Sequence, residues 1–376
     1  MQSFPVVDPI PLPAPIWLLK LLHIVTLALH FVAVEMLLGG LLLAVLLSLY
    51  RGSPASLVTA RALARRLTVV MTYVINLAVP PLLFAQVLYG RALYTSSVLI
   101  GIYWIAIIGL LMLTYWLLYR FTRRLEAGKS AWWVGLSAWL LAGCIARLLS
   151  TNMTLMLRPE VWRKMYSASA MGSYLPTGDP TLEPRWLMMM AGGLFISGLW
   201  LIYLSGCSTF TAREKHFVAV LGGKVAAIFG VLYLAAGLWA SIAQPEIVKA
   251  GLAGHSIYPL YMYAGVAGYG WLALVICAVM VAAATGFSKL PNAQTLLPSW
   301  IAVLLAVLIE IMFTVYRDGV RDLTLLAAGY DVWDRVVVTN WWVVGLFLVL
   351  FVAGLGVIGW LVSVVARAKK VMEGAA

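Results

Sequence analysis

Long apolar segments separated by polar stretches dominate the pattern of this chain. The first, residues 16–50, is apolar for longer than the ~20 residues that a membrane-spanning helix needs. Further apolar segments follow at 67–90, 97–120, 131–157, 185–206, 217–243, 264–287, 296–316 and 339–366. The pattern predicts an all-α fold, a polytopic membrane helical bundle of about nine transmembrane helices.

Composition supports the same class and narrows the function. Of 376 residues, 63% are hydrophobic and 11% are charged, and the mean hydropathy is +0.98, values that exclude an ordinary soluble domain. Sixteen Trp and seventeen Tyr residues fit interfacial aromatic belts. The net charge of +12 comes from basic residues flanking the spans, so we expect no nucleic acid partner. No cysteine lies in a CxxCH motif, so the sequence carries no c-type haem site of the usual kind.

The charges of the connecting segments predict the orientation. Basic residues concentrate after the odd-numbered spans and in the tail, where the acidic residues are Glu126, Glu214 and Glu373. These basic residues are Arg51, Arg61, Arg65, Arg66, Arg120, Arg123, Arg124, Lys129, Arg213, Lys215, Lys224, Lys289, Arg367, Lys369 and Lys370. The positive-inside rule then predicts a multi-pass protein of the bacterial inner membrane, with a periplasmic N-terminus and a cytoplasmic C-terminus.

The chain is expected to form a single transmembrane domain, residues 1–376. Residues 1–15, rich in proline, suggest a periplasmic strap that runs along the surface into the first helix. Longer periplasmic loops are expected at 158–184, 244–263 and 317–338, and loops of this length usually dock a partner, although a self-packed cap is the alternative. In the third loop, Asp318 and Asp322 alternate with Arg317 and Arg321, and we expect this segment to contact a periplasmic subunit.

Three ionisable residues lie inside the first apolar segment: His23, His30 and Glu35. Such groups are costly in a bilayer and need a partner or a function. The two histidines are seven residues apart on one helical face, roughly 10 Å along the axis, so they cannot grip one metal ion together. His30 lies deep in the span and is a candidate haem ligand, or else a histidine hydrogen-bonded to a neighbouring helix. His23, nearer the outer face, is a second haem candidate that alternatively reaches lipid headgroups.

Other spans add candidates at matching depths. Met188 stands at the outer end of span five in MMMAGG, at a depth like that of His23. Met188 is a candidate for the second axial ligand of a haem held by His23. Alternatively, no haem is bound there and Met188 is a core residue that fills the space. Glu35, Glu310 in span eight and Arg147 in span four are candidates for proton movement or quinone binding. The alternative is a structural pair of Arg147 with a carboxylate.

Span five also carries Gly192, Gly193 and Gly198. These glycines leave one face of the helix open for another helix or a flat ring.

The segment LALHFVAVEMLLGGLLLAVLLS resembles the first helix of cytochrome bd oxidase subunit I. The segment Asn76–Gly90 and the start of span five also follow the first helix in an order similar to that of the family. It implies nine spans, an external N-terminus, and haem ligation by His30 ahead of Gly39–Gly40. In that family a second haem-ligating histidine stands where this chain has Met188.

Three features depart from that family. The GRQP motif is absent, span three has no carboxylate, and the loop after span six is short. The resemblance therefore implies a bd-like membrane subunit with reduced haem content, one that works with periplasmic cytochromes c and not with oxygen.

Together these observations predict a membrane subunit of a respiratory or photosynthetic electron-transfer complex. It would pass electrons between quinone or quinol and a periplasmic, multihaem cytochrome c through b-type haem, in contact with other membrane subunits and lipid. The alternatives are a haem-free membrane anchor or quinone-binding subunit, as in polysulfide-reductase-type proteins, and a small-molecule transporter. The absence of a visible internal repeat argues against a transporter of the inverted-repeat kind.

Overall fold

A computed structural model describes residues 10–50, 52–176, 178–207, 209–252, 264–287 and 298–374. Regular structure in these residues is helical, apart from one isolated bridge. The helices are α1 (Ile16–Leu49), α2 (Pro54–Leu99), α3 (Gly101–Glu126), α4 (Trp132–Leu155), α5 (Pro159–Ala168), α6 (Leu182–Ser205), α7 (Ala212–Ile242), α8 (Glu246–Leu252), α9 (Ala264–Gly286), α10 (Trp300–Ala327) and α11 (Trp341–Gly374).

Seven of these helices are long and apolar enough to cross a membrane: α1, α2, α3, α4, α6, α7 and α10. The apolar stretches Gly270–Gly286 of α9 and Trp341–Val357 of α11 are shorter. The outward side chains are apolar as well: on α3, Ile105 is 74% exposed and Met112 is 69% exposed. A helical bundle whose outer surface is hydrophobic is the expected form of a multi-pass membrane protein.

Several helices extend beyond the apolar segments that predict them. The helix predicted at 217–243 begins at Ala212, because Thr211 and Glu214 form a capping box there. The helix predicted at 67–90 begins at Pro54, after the N-cap residue Ser53. Hydropathy marks the part of a helix that lies in lipid, whereas the caps mark where the helix starts.

The described residues divide into two compact units. The larger unit contains residues Leu21–Val332. Within it, α6 is the most buried of the seven long apolar helices. It contributes to two apolar cores, one shared with α1, α2, α3 and α4 and the other with α7, α9 and α10. Its glycines allow close approach: a Cβ at Gly39 of α1 would overlap the carbonyl of Gly193, and one at Gly222 of α7 would lie 2.7 Å from the Gly198 oxygen. The open glycine face of span five therefore receives neighbouring helices at both positions.

The smaller unit joins Val7–Lys20 to Trp333–Ala376. The amide of Leu12 donates to the Val336 carbonyl at 2.8 Å, and the amide of Val338 donates to the Leu12 carbonyl at 2.9 Å. Leu12, in the expected strap, thus pairs in parallel with the segment that precedes α11, while residues 1–9 of that strap lie outside the described residues.

One local prediction requires correction. Residues 317–327, expected in a loop, continue α10 as a helix to Ala327, and Asp318 and Asp322 are buried within it. Helix α2 contains Pro80 and Pro81, and its non-helical dihedral angles lie at Tyr89. The periplasmic loop predicted at 158–184 contains α5, and 244–263 contains α8, while residues 253–263 lie outside the described part.

Candidate functional site

A buried polar network joins α1, α2 and α10. Tyr89 donates through its hydroxyl to Asp322 Oδ1 at 2.7 Å or to Asp318 Oδ1 at 3.0 Å. Arg321, one turn away on α10, lies over the Tyr89 ring at 4.9 Å and 3.9 Å from the Asp318 carboxylate. Its guanidinium also donates to His23 Nε2 at 2.8 Å. The opposite charges and hydrogen bonds explain how this end of α10 is buried within the bundle.

The network fixes the protonation pattern of His23. Arginine only donates, so Nε2 of His23 accepts from Arg321 and carries no proton. Nδ1 then carries the proton and donates to the Pro81 carbonyl at 3.1 Å. Both ring nitrogens are therefore occupied, and neither has a lone pair left for a metal ion.

Met188 is enclosed by side chains of the second core. It is 2% exposed, and its Cε approaches the position that a Cβ at Gly237 would occupy, a position that Trp271 also contacts. With His23 engaged and Met188 packed in this way, the two residues do not fit a haem iron held between them. The packing is that of the core-filling alternative.

His30 has a different environment. Its Nδ1 is buried and has no hydrogen-bond partner among the described residues, and the ring lies beside the backbone of Val74 on α2. A neutral imidazole nitrogen without a partner is the kind of donor that a haem iron takes as a ligand. His30 therefore fits a haem ligand where His23 does not.

A second polar cluster, the inner cluster, consists of Glu35, Tyr233, Trp271, Glu310 and Arg317. Glu35 is 3% exposed and Glu310 is fully buried. Their carboxyl groups lie within interaction distance of each other, and Arg317 and Tyr233 lie close enough to act on them electrostatically. Glu35 Oε2, both oxygens of Glu310, the Tyr233 hydroxyl and Trp271 Nε1 all lack a hydrogen bond of good geometry.

Arg317 faces aromatic rings instead of a carboxylate. Its guanidinium lies 4.6 Å from the ring centre of Phe31 and 5.7 Å from that of Phe313. Within the described residues, no carboxylate oxygen comes within 4.0 Å of it. It supplies a positive charge beside the two carboxyl groups without pairing with either.

Arg147 lies apart from both polar groups. It forms an ion pair with Glu183 at 2.5 Å on an exposed surface and covers the Trp186 ring. This matches the structural pair that the sequence left open.

A cavity of about 680 Å³ lies where the ends of α4, α7 and α10 meet the start of α6. Leu157, Pro180 and Val320 form part of its apolar wall, while Arg158 and Arg185 contribute polar groups. Arg158 is 2.7 Å from Glu160, and Arg185 donates to the Thr154 hydroxyl. Arg158 Nη1 and Arg185 Nε are both buried without a hydrogen-bond partner among the described residues. The cavity thus combines apolar walls with arginine N–H groups that have no acceptor among the described residues.

Sequence reasoning identified Glu35, Glu310, His23 and His30 as buried groups but missed their partners. Tyr89, Tyr233 and Trp271 carry no signal in the sequence, since aromatic residues are common in apolar helices. The repeated pair Arg317–Asp318 and Arg321–Asp322 did carry one: its members recur four residues apart, the spacing of one helical face. The sequence places these residues in a surface loop, and the burial of Asp318, Arg321 and Asp322 in α10 corrects that assignment. The contact of residues 317–338 with a periplasmic subunit stays a prediction.

No protein-family model matches the chain, and no curated protein matches it.

Proposed function

We propose that this protein is a cytochrome bd-like membrane subunit of an electron-transfer complex in a bacterial inner membrane. It exchanges electrons with quinone or quinol and passes them to or from a periplasmic, multihaem cytochrome c, alongside other membrane subunits. Nine spans, with the N-terminus periplasmic and the C-terminus cytoplasmic, belong to the same proposal. The resemblance of the first helix to subunit I of the oxidases supports it, and so does the apolar bundle.

The cavity beside Arg185 is the observation that carries the proposal. A quinone head group is a flat, mostly apolar ring with two carbonyl oxygens, so it needs apolar walls and a few hydrogen-bond donors. The cavity offers both: apolar walls, and the guanidinium of Arg185, whose buried Nε has no hydrogen-bond partner among the described residues. In the proposed orientation this cavity lies at the periplasmic end of the bundle, where a soluble cytochrome approaches.

Haem b is the proposed cofactor, with His30 as its ligand in this chain. When bound, the haem supplies one-electron transfer between the quinone and the cytochrome. His30 would hold the iron through a ring nitrogen, with the backbone of Val74 beside the ring.

A haem-free quinone-binding subunit is the second candidate. The engagement of both His23 nitrogens and the packing of Met188 favour it, because they leave one candidate ligand, His30, among those that the sequence suggested. A reduced-minus-oxidised optical spectrum of the purified protein separates the two candidates. A b-type band supports the haem-containing subunit, and its absence supports the haem-free one.

Replacement of Arg185 tests the quinone site. In Arg185→Gln, a short-chain quinol analogue should bind about tenfold or more weakly, because a hydrogen bond from a charged group contributes roughly 1.5–3 kcal/mol. Quenching of tryptophan fluorescence by the analogue measures the affinity. Arg147→Gln is the matched control, since Arg147 pairs with Glu183 and does not line the cavity. Equal affinities in both variants and the unaltered protein would contradict the proposed site.

A further inference from the structure

The inner cluster brings two carboxyl groups together in the interior of the bundle. Glu35 comes from α1 and Glu310 from α10, and both are almost completely removed from solvent. Two ionised carboxylates at such a place repel each other and lose their hydration, so sites of this kind normally hold a proton between the two groups.

The surroundings are shaped to hold the carboxyl group of Glu35. A Cβ at Gly192 of α6 would lie 2.5 Å from Glu35 Oε1 and 2.9 Å from Tyr233 Cε2. Any residue larger than glycine at this position would displace the carboxyl group or the tyrosine ring. The absent side chain therefore makes room for the acid.

The inner cluster contains two further unpartnered polar atoms. Among the described residues, the Tyr233 hydroxyl of α7 and Trp271 Nε1 of α9 are buried without a hydrogen-bond partner, and their two rings meet edge-on at 5.8 Å. Buried polar atoms are nearly always satisfied in proteins, so this concentration points to exchangeable protons or small polar species.

The charged and titratable groups around the pair are few. Arg317 lies seven residues, about two helical turns, beyond Glu310 on α10. It acts on both carboxyl groups, and Tyr233 faces them from α7. His30 precedes Glu35 on α1 and feels the charge of Arg317. Arg185 and Arg321 act on Arg317 from further away, with Arg321 engaged in the network of Tyr89 and Asp318. One positive charge thus stands beside two acids, which is balanced when the acids share one proton.

We propose that Glu35 and Glu310 form a proton-binding site inside the bundle, in which the two carboxyl groups share one exchangeable proton beside Arg317. Uptake converts a carboxylate to a carboxylic acid and release reverses it, so no other reactant is involved. The site is independent of the proposed quinone and haem function. A monovalent cation in place of the proton is the competing occupant.

Infrared spectroscopy of the full-length protein in lipid nanodiscs tests the proposal. At neutral pH the protein should show a carboxylic acid C=O band that shifts to lower frequency in D₂O. Glu35→Gln and Glu310→Gln should each lose this band, while Glu183→Gln, which removes an exposed carboxylate, should retain it. Subtraction of variant from unaltered spectra separates the pair from Asp318 and Asp322, which are also buried.

A second variant probes the counter-charge without removing either acid. In Arg317→Gln the band should persist to higher pH, because loss of a nearby positive charge disfavours the carboxylate form. Because this variant keeps both acids, and the isotope shift in the unaltered protein needs no variant, the test stands even if a glutamine variant does not fold.

Three results would overturn the proposal. These are the absence of a D₂O-sensitive band in the unaltered protein, full retention of the band in either glutamine variant, and replacement of the band when sodium is added, which would identify a cation site. None of these results depends on quinol binding or on a haem spectrum. Failure of the proton-binding proposal can therefore be distinguished from failure of the proposed function.

Discussion

The state of the ring nitrogens distinguishes His23 from His30. His23 uses Nδ1 toward the Pro81 carbonyl and Nε2 toward Arg321, so its imidazole serves the structure of the bundle. His30 keeps a buried Nδ1 without a partner. The sequence shows only how deep each histidine lies in the span. The hydrogen-bond partners of the ring nitrogens distinguish the two residues more clearly.

Replacement of His30 is therefore expected to act on a haem directly. His30→Ala should remove a b-type absorbance band while the polypeptide remains in the membrane, because the iron loses its ligand. His23→Gln should keep the band, since His23 offers the metal no free nitrogen, and His216→Ala, at the exposed start of α7, is a further control. Loss of the band in His23→Gln but not in His30→Ala would show that the assignment is reversed.

The sequence predicts a site residue only where a polar or ionisable residue interrupts an apolar segment. Glu35 and Glu310 are carboxylates in apolar helices, which marks them as buried and costly. Their proximity was not predictable, since no local pattern relates positions so distant in the chain. The same reason hides the contact of Arg321 with His23, whose positions are 298 residues apart.

At the scale of the helix, close backbone crossings hold α6 in place. Gly39 faces Gly193 across the α1–α6 contact, and Gly198 faces Gly222 across the α6–α7 contact. Without a hydrophobic driving force between helices in lipid, such crossings contribute packing that larger residues prevent.

A single methyl group at Gly39 should therefore weaken the bundle. Gly39→Ala places its Cβ against the Gly193 carbonyl, a backbone group that cannot move aside, and overpacking of this kind typically costs about 1–3 kcal/mol. Thermal unfolding in detergent should show a lower midpoint. Gly109→Ala on α3 is the control, because no atom lies within 4 Å of a Cβ there, and its midpoint should be unchanged or higher. A Gly39→Ala variant as stable as Gly109→Ala would show that the crossing tolerates a side chain.

Helices were predictable from hydropathy, whereas the end of α10 was not. Residues 317–327 contain enough charge to resemble a loop, and only the contacts with Tyr89 and His23 let Asp318, Arg321 and Asp322 enter the interior. The break of α2 at Tyr89 likewise has no proline to mark it, since Pro80 and Pro81 lie a turn or more before it.

At the scale of the whole molecule, the distribution of basic residues predicts which side of the membrane each terminus occupies. A reporter fused after Ala376 should be active in the cytoplasm, because the basic residues listed above gather in the tail and in the loops on its side. A green fluorescent protein fusion should fluoresce, because that reporter folds in the cytoplasm. An alkaline phosphatase fusion should be inactive, because that enzyme folds in the periplasm. A periplasmic signal from this fusion would mean that the count of nine spans is wrong.

The pairing of Leu12 with the segment before α11 has a consequence for biosynthesis. Arg335 and the Ile10 carbonyl that it binds are 325 positions apart, so the ribosome has made almost the whole chain before residues 10–13 meet their partners. Until then residues 10–13 lack these hydrogen bonds and are open to proteases. The closure of residues 10–13 on 336–340 is thus a late event in assembly, and in a nascent chain that stalls before residue 336 the segment 10–13 can still be cut.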